Sequence, residues 1–103
     1  MQSLKLSQKE FNNLRLTKTV TIRKGRKDVK LGFLEFYNIE SGAVELVNVE
    51  SVQYCKLKYV SSEDLLYDGM ISTNHAVSKL IQYYPDITKE TEITVIKFKI
   101  ILK

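Results

Sequence analysis

Seven cations crowd into residues 15–30: Arg15, Lys18, Arg23, Lys24, Arg26, Lys27 and Lys30. A single acid, Asp28, stands among them, so this window carries +6 of a chain whose net charge is +4, and the remainder sums to −2. Cations gathered this closely attract anions, phosphates first; with no partner they make a solvated basic loop. Within the window, Thr19-Val20-Thr21-Ile22-Arg23 places two hydroxyls and a guanidinium on alternate positions. Other reactive groups are sparse. The lone Cys55 allows neither an internal disulfide nor a zinc site built from Cys pairs. The lone His75 allows no His-based metal site. No metal and no cofactor are therefore expected. Asp68 precedes Gly69, a pairing as suited to a turn as to chemistry.

These groups must be held by local structure. Ser7-Gln8-Lys9-Glu10 has the form of a capping box, and Phe11 and Leu14, with Leu16 as a further candidate, supply the apolar stripe of a short helix over 8–15. Thr19 to Arg23 alternates strictly and is β-branched, which predicts a strand with Val20 and Ile22 on one face and Thr19, Thr21 and Arg23 on the other. Lys24 to Asp28 is a polar loop around Gly25. Strands are expected at 30–37, 43–50 and 52–60, the last alternating Cys55, Leu57 and Tyr59 with Lys56 and Lys58. Cys55 then reads as a small core residue. Ser61 to Asp64 opens a helical turn that ends near Asp68-Gly69. Ser72 or Thr73 caps a second helix with apolar Ala76, Val77, Leu80 and Ile81, stopped by Tyr84-Pro85. A last strand over 92–102 sets Ile96, Phe98, Ile100 and Leu102 on one face. There is no βαβ alternation, so a doubly wound sheet is excluded. The pattern is α+β, with a mostly antiparallel sheet able to close.

The 103 residues fit one domain, 1–103, and the 44% hydrophobic content supports a core without staples. No apolar run is long enough to span a bilayer, and Met1 to Lys5 lacks an apolar signal region, so a cytoplasmic location is expected.

The stretch Leu16-Thr17-Lys18-Thr19-Val20-Thr21-Ile22-Arg23 resembles the ASCH motif, a Gly-x-Lys followed after four residues by Arg; Lys18 and Arg23 match, and Leu16 stands where the family has glycine. Gly32 in the strand after the basic loop, Asp68-Gly69-Met70, Tyr84-Pro85 and Val95-Ile96-Lys97-Phe98 follow in the family's order, over residues 4–100. The implied fold is a PUA-like mixed or antiparallel β-barrel flanked by two or three short helices. Within the family the chain is most similar to small bacterial N(4)-acetylcytidine amidohydrolases, which read Lys-Thr-Ile-Thr-Ile-Arg where Lys18 to Arg23 stand here.

That resemblance implies a Lys, a Thr and a carboxylate acting together: Lys18, Thr21 and Asp68, an aspartate where the family has glutamate, with Glu63 and Asp64 as other candidates. Threonine becomes a nucleophile only when a base takes its proton. A neutral lysine can serve if neighbouring cations or desolvation lower its pKa, and Arg23 shares the face of Thr21. Residues 18 and 21 point to opposite faces of a regular strand, so the pair requires Lys18 on the turn entering it. Arg23, Arg26 and Lys27 are the substrate-binding candidates. Each also has an ordinary reading: Thr21 as an exposed strand threonine, Lys18 as a surface lysine, Asp68 as a turn residue, and Tyr54, Tyr59, Tyr83 and Tyr84 as core or rim. Tyr37 and Tyr67 are further rings that could stack on a base. The expected partner is a modified nucleoside or RNA, without a membrane. Beside the hydrolase stand two alternatives, a non-catalytic RNA-binding module and a ribonuclease of the ASCH type.

Overall fold

β-Branched and aromatic runs build one sheet whose two faces are both covered. A computed structural model describes residues 1–14 and 19–101. In chain order the elements are β1 (Ser3–Leu6), α1 (Gln8–Asn13), β2 (Val20–Lys24), β3 (Gly32–Asn38), β4 (Val44–Lys56), a 3-10 turn (Leu57–Tyr59), α2 (Ser62–Tyr67), α3 (Thr73–Leu80) and β5 (Glu92–Ile100). The five strands lie in the order β1-β3-β4-β5-β2 and curl into a half-barrel. β1 pairs parallel to β3, and the other neighbours are antiparallel. The architecture is thus the α+β, PUA-like form expected.

Each face of the sheet has its own core. The inner one gathers Leu6, Leu34, Phe36, Val47, Val49, Ile96 and Phe98, with Leu14 from the end of α1 and Val29 from the β2–β3 loop. Phe36 and Phe98 meet edge to face at 4.8 Å. The outer one joins Val20, Ile22, Ile93 and Val95 to Leu65 of α2 and Ala76 and Leu80 of α3. β2 and β5 are therefore covered on both sides, and Ile93 to Ile96 of β5 are buried without a break.

Several boundaries differ from the sequence expectation, each for a physical reason. β1 was not foreseen; four residues are too few for a periodic signal, and its pairing partner is thirty residues away. The expected strands 43–50 and 52–60 are one strand through Lys56, with a register shift between Val49 and Ser51. Glu50 is the extra residue of this bulge. It reverses parity, so Val47 and Val49 before it and Val52 and Tyr54 after it share the inner face. Beyond Lys56 the chain turns, so Leu57 and Tyr59 do not alternate as strand residues; Leu57 is buried and Tyr59 exposed. α3 stops at Leu80, leaving Ile81 exposed rather than in the apolar stripe. Leu102 lies outside the described residues, as does Lys18.

Candidate functional site

The helices flank the free edge of β2 from opposite sides. α1 starts at its capping box, where the Ser7 side chain accepts from Glu10 N–H and Glu10 reaches back to Ser7 N–H. It then packs Phe11 and Leu14 against the inner core. α2 and α3 pack on the outer core. Between them lies a cleft of about 230 Å³, walled by Lys9, Glu10 and Asn13 of α1 and by Tyr67 to Met70, Lys79, Leu80, Gln82 and Tyr83 from the α2–α3 side. That volume is below the ~300–1,000 Å³ common for drug-sized ligands, and suits a single base or nucleoside. Two tyrosines, two lysines and two carboxylates give it stacking surface and both signs of charge.

Asp68 reaches the strand because α2 ends in a Schellman motif. Gly69 adopts φ +80°, its N–H donates to Leu66 O, and Met70 N–H donates to Leu65 O at 2.8 Å. Met70 and Leu65 both enter the outer core, which anchors the turn. Lys79 Nζ donates to Gly69 O at 3.3 Å, and Ile71 N–H donates to His75 Nδ1 at 3.0 Å. Held so, Asp68 Oδ2 accepts from Ile22 N–H at 3.1 Å. In the β2–β5 ladder, Gly25 N–H and Phe98 N–H donate to Glu92 O and Thr19 O, so the odd-numbered residues of β2 face β5. Ile22 N–H therefore points off the sheet, and Asp68 covers an otherwise open edge. Asp68 thus combines its place in the turn with a hydrogen bond to the strand edge.

Thr21 and Arg23 occupy the inner face of β2, opposite Ile96 and Thr94. Thr21 is 1% exposed, not the exposed strand threonine that alternation suggested. Among the described residues its Oγ1 is buried without a hydrogen-bond partner, as are Nε and Nη2 of Arg23. Leaving such a group unpaired costs about 1–3 kcal/mol, more for a charged one. Thr21 and Asp68 thus converge on the same edge from different directions: Asp68 through the Ile22 amide, Thr21 one residue away with its side chain turned inward. Thr21 does not line the cleft wall.

Arg26 and Lys27 are not brought to the cleft. Their loop folds over the barrel mouth: Lys27 N–H donates to Thr94 Oγ1 at 2.8 Å, Thr94 Oγ1 donates to Gly25 O at 2.7 Å, and Tyr54 Oη donates to Lys27 O at 2.9 Å. The Arg26 guanidinium lies 3.9 Å from the centre of the Tyr54 ring. Lys24 pairs with Asp86 at 2.6 Å, which holds the Asp86 carboxyl below its usual range. Of the other carboxylates, Asp64 pairs with Lys97 at 3.2 Å, and Glu63 lies in the first turn of α2. Neither lines the cleft. Burial, with the Asp64 charge, raises the Cys55 thiol pKa, consistent with a packing role. Among the described residues no group of three His, Cys, Asp or Glu could hold a metal ion, and no helix is long and apolar enough to cross a membrane.

Sequence reasoning missed Lys9, Glu10, Lys79 and Tyr83 as cleft residues. Their only local signal is the helical spacing that places them beside, not within, an apolar stripe; what joins them is the packing of α1 against a different face from α3.

No family model and no curated protein matches the sequence. Solved structures do. An ASCH domain from Lactobacillus crispatus superposes with a TM-score of 0.73 at 13% identity, over 96% of this chain and 78% of that one. The hypothetical protein PH0355 gives 0.73 at 17% identity, over 96% and 97%. The protein EF3133 from Enterococcus faecalis gives 0.59 at 13% identity, over 90% and 70%. The chain has the ASCH, PUA-like fold.

Proposed function

We propose that this ASCH-fold domain is an amidohydrolase that removes the acetyl group from N(4)-acetylcytidine or a related modified nucleoside. The observation that carries the reading is the buried Thr21 hydroxyl, without a partner among the described residues, one residue from the amide gripped by Asp68, itself a wall residue of a base-sized cleft. A fold that tolerates such an orphan gains nothing from it in stability, whereas a nucleophile must have its lone pairs free. Tyr67 and Tyr83 supply faces for a base, and Lys9 and Lys79 supply donors for its carbonyl or ribose oxygens.

Lys18, which lies outside the described residues, takes the Thr21 proton in this scheme. Thr21 Oγ1 attacks the acetyl carbonyl, the C–N bond breaks, and the amine leaves with a proton as cytidine. Water then cleaves the acyl ester, freeing acetate and restoring the hydroxyl. Asp68 fixes the β2 edge that carries Thr21. Replacing the family's glutamate by aspartate withdraws the carboxylate by about 1.5 Å; in this chain the Schellman turn sets Asp68 against β2.

The test is conversion of N(4)-acetylcytidine to cytidine by the purified protein, beside Thr21→Ala, Lys18→Ala and Asp68→Ala. The expected result is turnover by the parent chain and a loss of about 100-fold or more in the Thr21 and Lys18 variants. An inert parent chain removes the reading; undiminished variants remove the mechanism.

A second reading, a non-catalytic RNA-binding module, draws on the barrel mouth, where the exposed cations Arg26, Lys27 and Lys30 stand apart from the cleft. It calls for RNA binding that weakens with salt and falls further in Lys27→Gln and Lys30→Gln.

A further inference from the structure

Three side-chain atoms are buried without a hydrogen-bond partner among the described residues, and all three belong to one face of one strand: Thr21 Oγ1 and Arg23 Nε and Nη2. The two residues are one pleat apart, roughly 7 Å between backbones. Their neighbours in the same rows are of two kinds. Arg23 shares its row with Thr94 and Tyr54, whose hydroxyls are both used in holding the Gly25–Lys27 backbone. Thr21 shares its row with the apolar Ile96 and Val52. The open donors thus sit at the end of a saturated polar row, beside an apolar one.

The identity of the orphaned nitrogens matters. Nε and Nη2 lie along one edge of the guanidinium plane, and their N–H bonds run parallel. This side-on fork matches two oxygens of one planar carboxylate. The Thr21 hydroxyl, one pleat away, adds a third donor, and the apolar Ile96 and Val52 lie in its row. A tetrahedral phosphate carries more charge and more acceptor oxygens than one fork and one hydroxyl can satisfy.

We infer that Arg23 and Thr21 form a partly buried binding site for a small monocarboxylate, gripped side-on by the guanidinium beneath the Gly25–Val29 loop. Gly25 and Gly32, both at positive φ, bracket the covering segment where the chain leaves β2 and enters β3. The site stands on the three orphaned atoms; only the identification of its occupant as the acetate released by deacetylation rests on the hydrolase reading.

The experiment is a titration of isotopically labelled full-length protein with sodium acetate, followed by NMR through the Arg23 Nε–H signal and the amides of Thr21 and Thr94. Parallel arms use sodium phosphate and sodium chloride at matched ionic strength. The expected result is a saturable shift of the Arg23 Nε–H signal with acetate alone, weakened at least ~10-fold in Arg23→Lys, which keeps the charge and loses the fork. Thr21→Val weakens it less. The parent chain's own Arg23 signal reports directly, so the result does not depend on a variant folding. An unmoved Arg23 signal, or a shift produced equally by phosphate or chloride, overturns the assignment. Acetate binding in a protein that does not deacetylate N(4)-acetylcytidine keeps this site and removes the hydrolase; deacetylation without acetate at Arg23 does the reverse.

Discussion

The two faces of β2 were built by the same five residues to opposite ends. Val20 and Ile22 face α2 and α3, are buried to within a few per cent, and leave no polar atom wanting. Thr21, buried beside Ile96, and Arg23, half-buried beside Thr94, face the barrel and leave three buried polar atoms unpaired among the described residues. The first face contributes stability; the second spends it. Burial alone therefore does not distinguish the two faces. Unmet hydrogen-bonding capacity does, because an orphaned buried polar group costs free energy and calls for an explanation beyond packing.

The sharpest way to break this contrast is to erase the distinction between the faces. Deleting Glu50 removes the bulge and reverses the parity of Ser51 to Lys56, turning Val52 and Tyr54 away from the inner core. The deletion is expected to abolish cooperative unfolding by circular dichroism, while Glu50→Ala retains it. A deletion variant that melts like the parent would refute the parity argument.

Next in size, Ile22→Ala is expected to cost about 2–5 kcal/mol in denaturant melts, the range for a truncated core aliphatic. Thr21→Val, one residue away and equally buried, is expected to be neutral or to gain about 1 kcal/mol, because it removes an unpaired hydroxyl at constant shape. A loss comparable to Ile22→Ala would show that the hydroxyl is satisfied after all.

Cys55 tests the outer face in a different way. Burial and the Asp64 charge raise its pKa, so the folded state favours the thiol. Its contribution to stability is present below the unfolded thiol's pKa and fades as pH rises through the folded value. Native-state labelling by a thiol reagent should lag the unfolded chain's, with its pH midpoint displaced upward. Smallest of all is the exposed Lys24–Asp86 pair. The lowered Asp86 pKa adds stability above the ordinary carboxylate range that disappears as pH falls through the folded value. Asp86→Asn should shift the melting temperature at pH 7 only slightly, and less still in high salt.

Much of this was legible in the residues. Ser7 and Glu10, Thr19 to Arg23, and the alternation around Ile96 and Phe98 announce their elements, because capping and side-chain periodicity are local properties. The paired placement of Thr21 and Arg23 on one face followed from the same alternation. Asp68 was legible as a turn residue, since Gly69 supplies the positive φ that ends α2. The bulge left a trace too: Val47, Val49, Val52 and Tyr54 are spaced two, three and two, a broken period that reads as a gap between strands.

What the chain by itself determined, then, is the set of elements and which residues share a face, because hydrophobic period and capping chemistry act over a few residues. Tertiary structure alone decided that the far face of β2 is also buried, that Asp68 bonds the Ile22 amide, and that Lys9, Tyr67, Lys79 and Tyr83 meet around one cleft. Those facts depend on which helix packs against which side of the sheet, and no local pattern encodes contacts made across forty or more residues of chain.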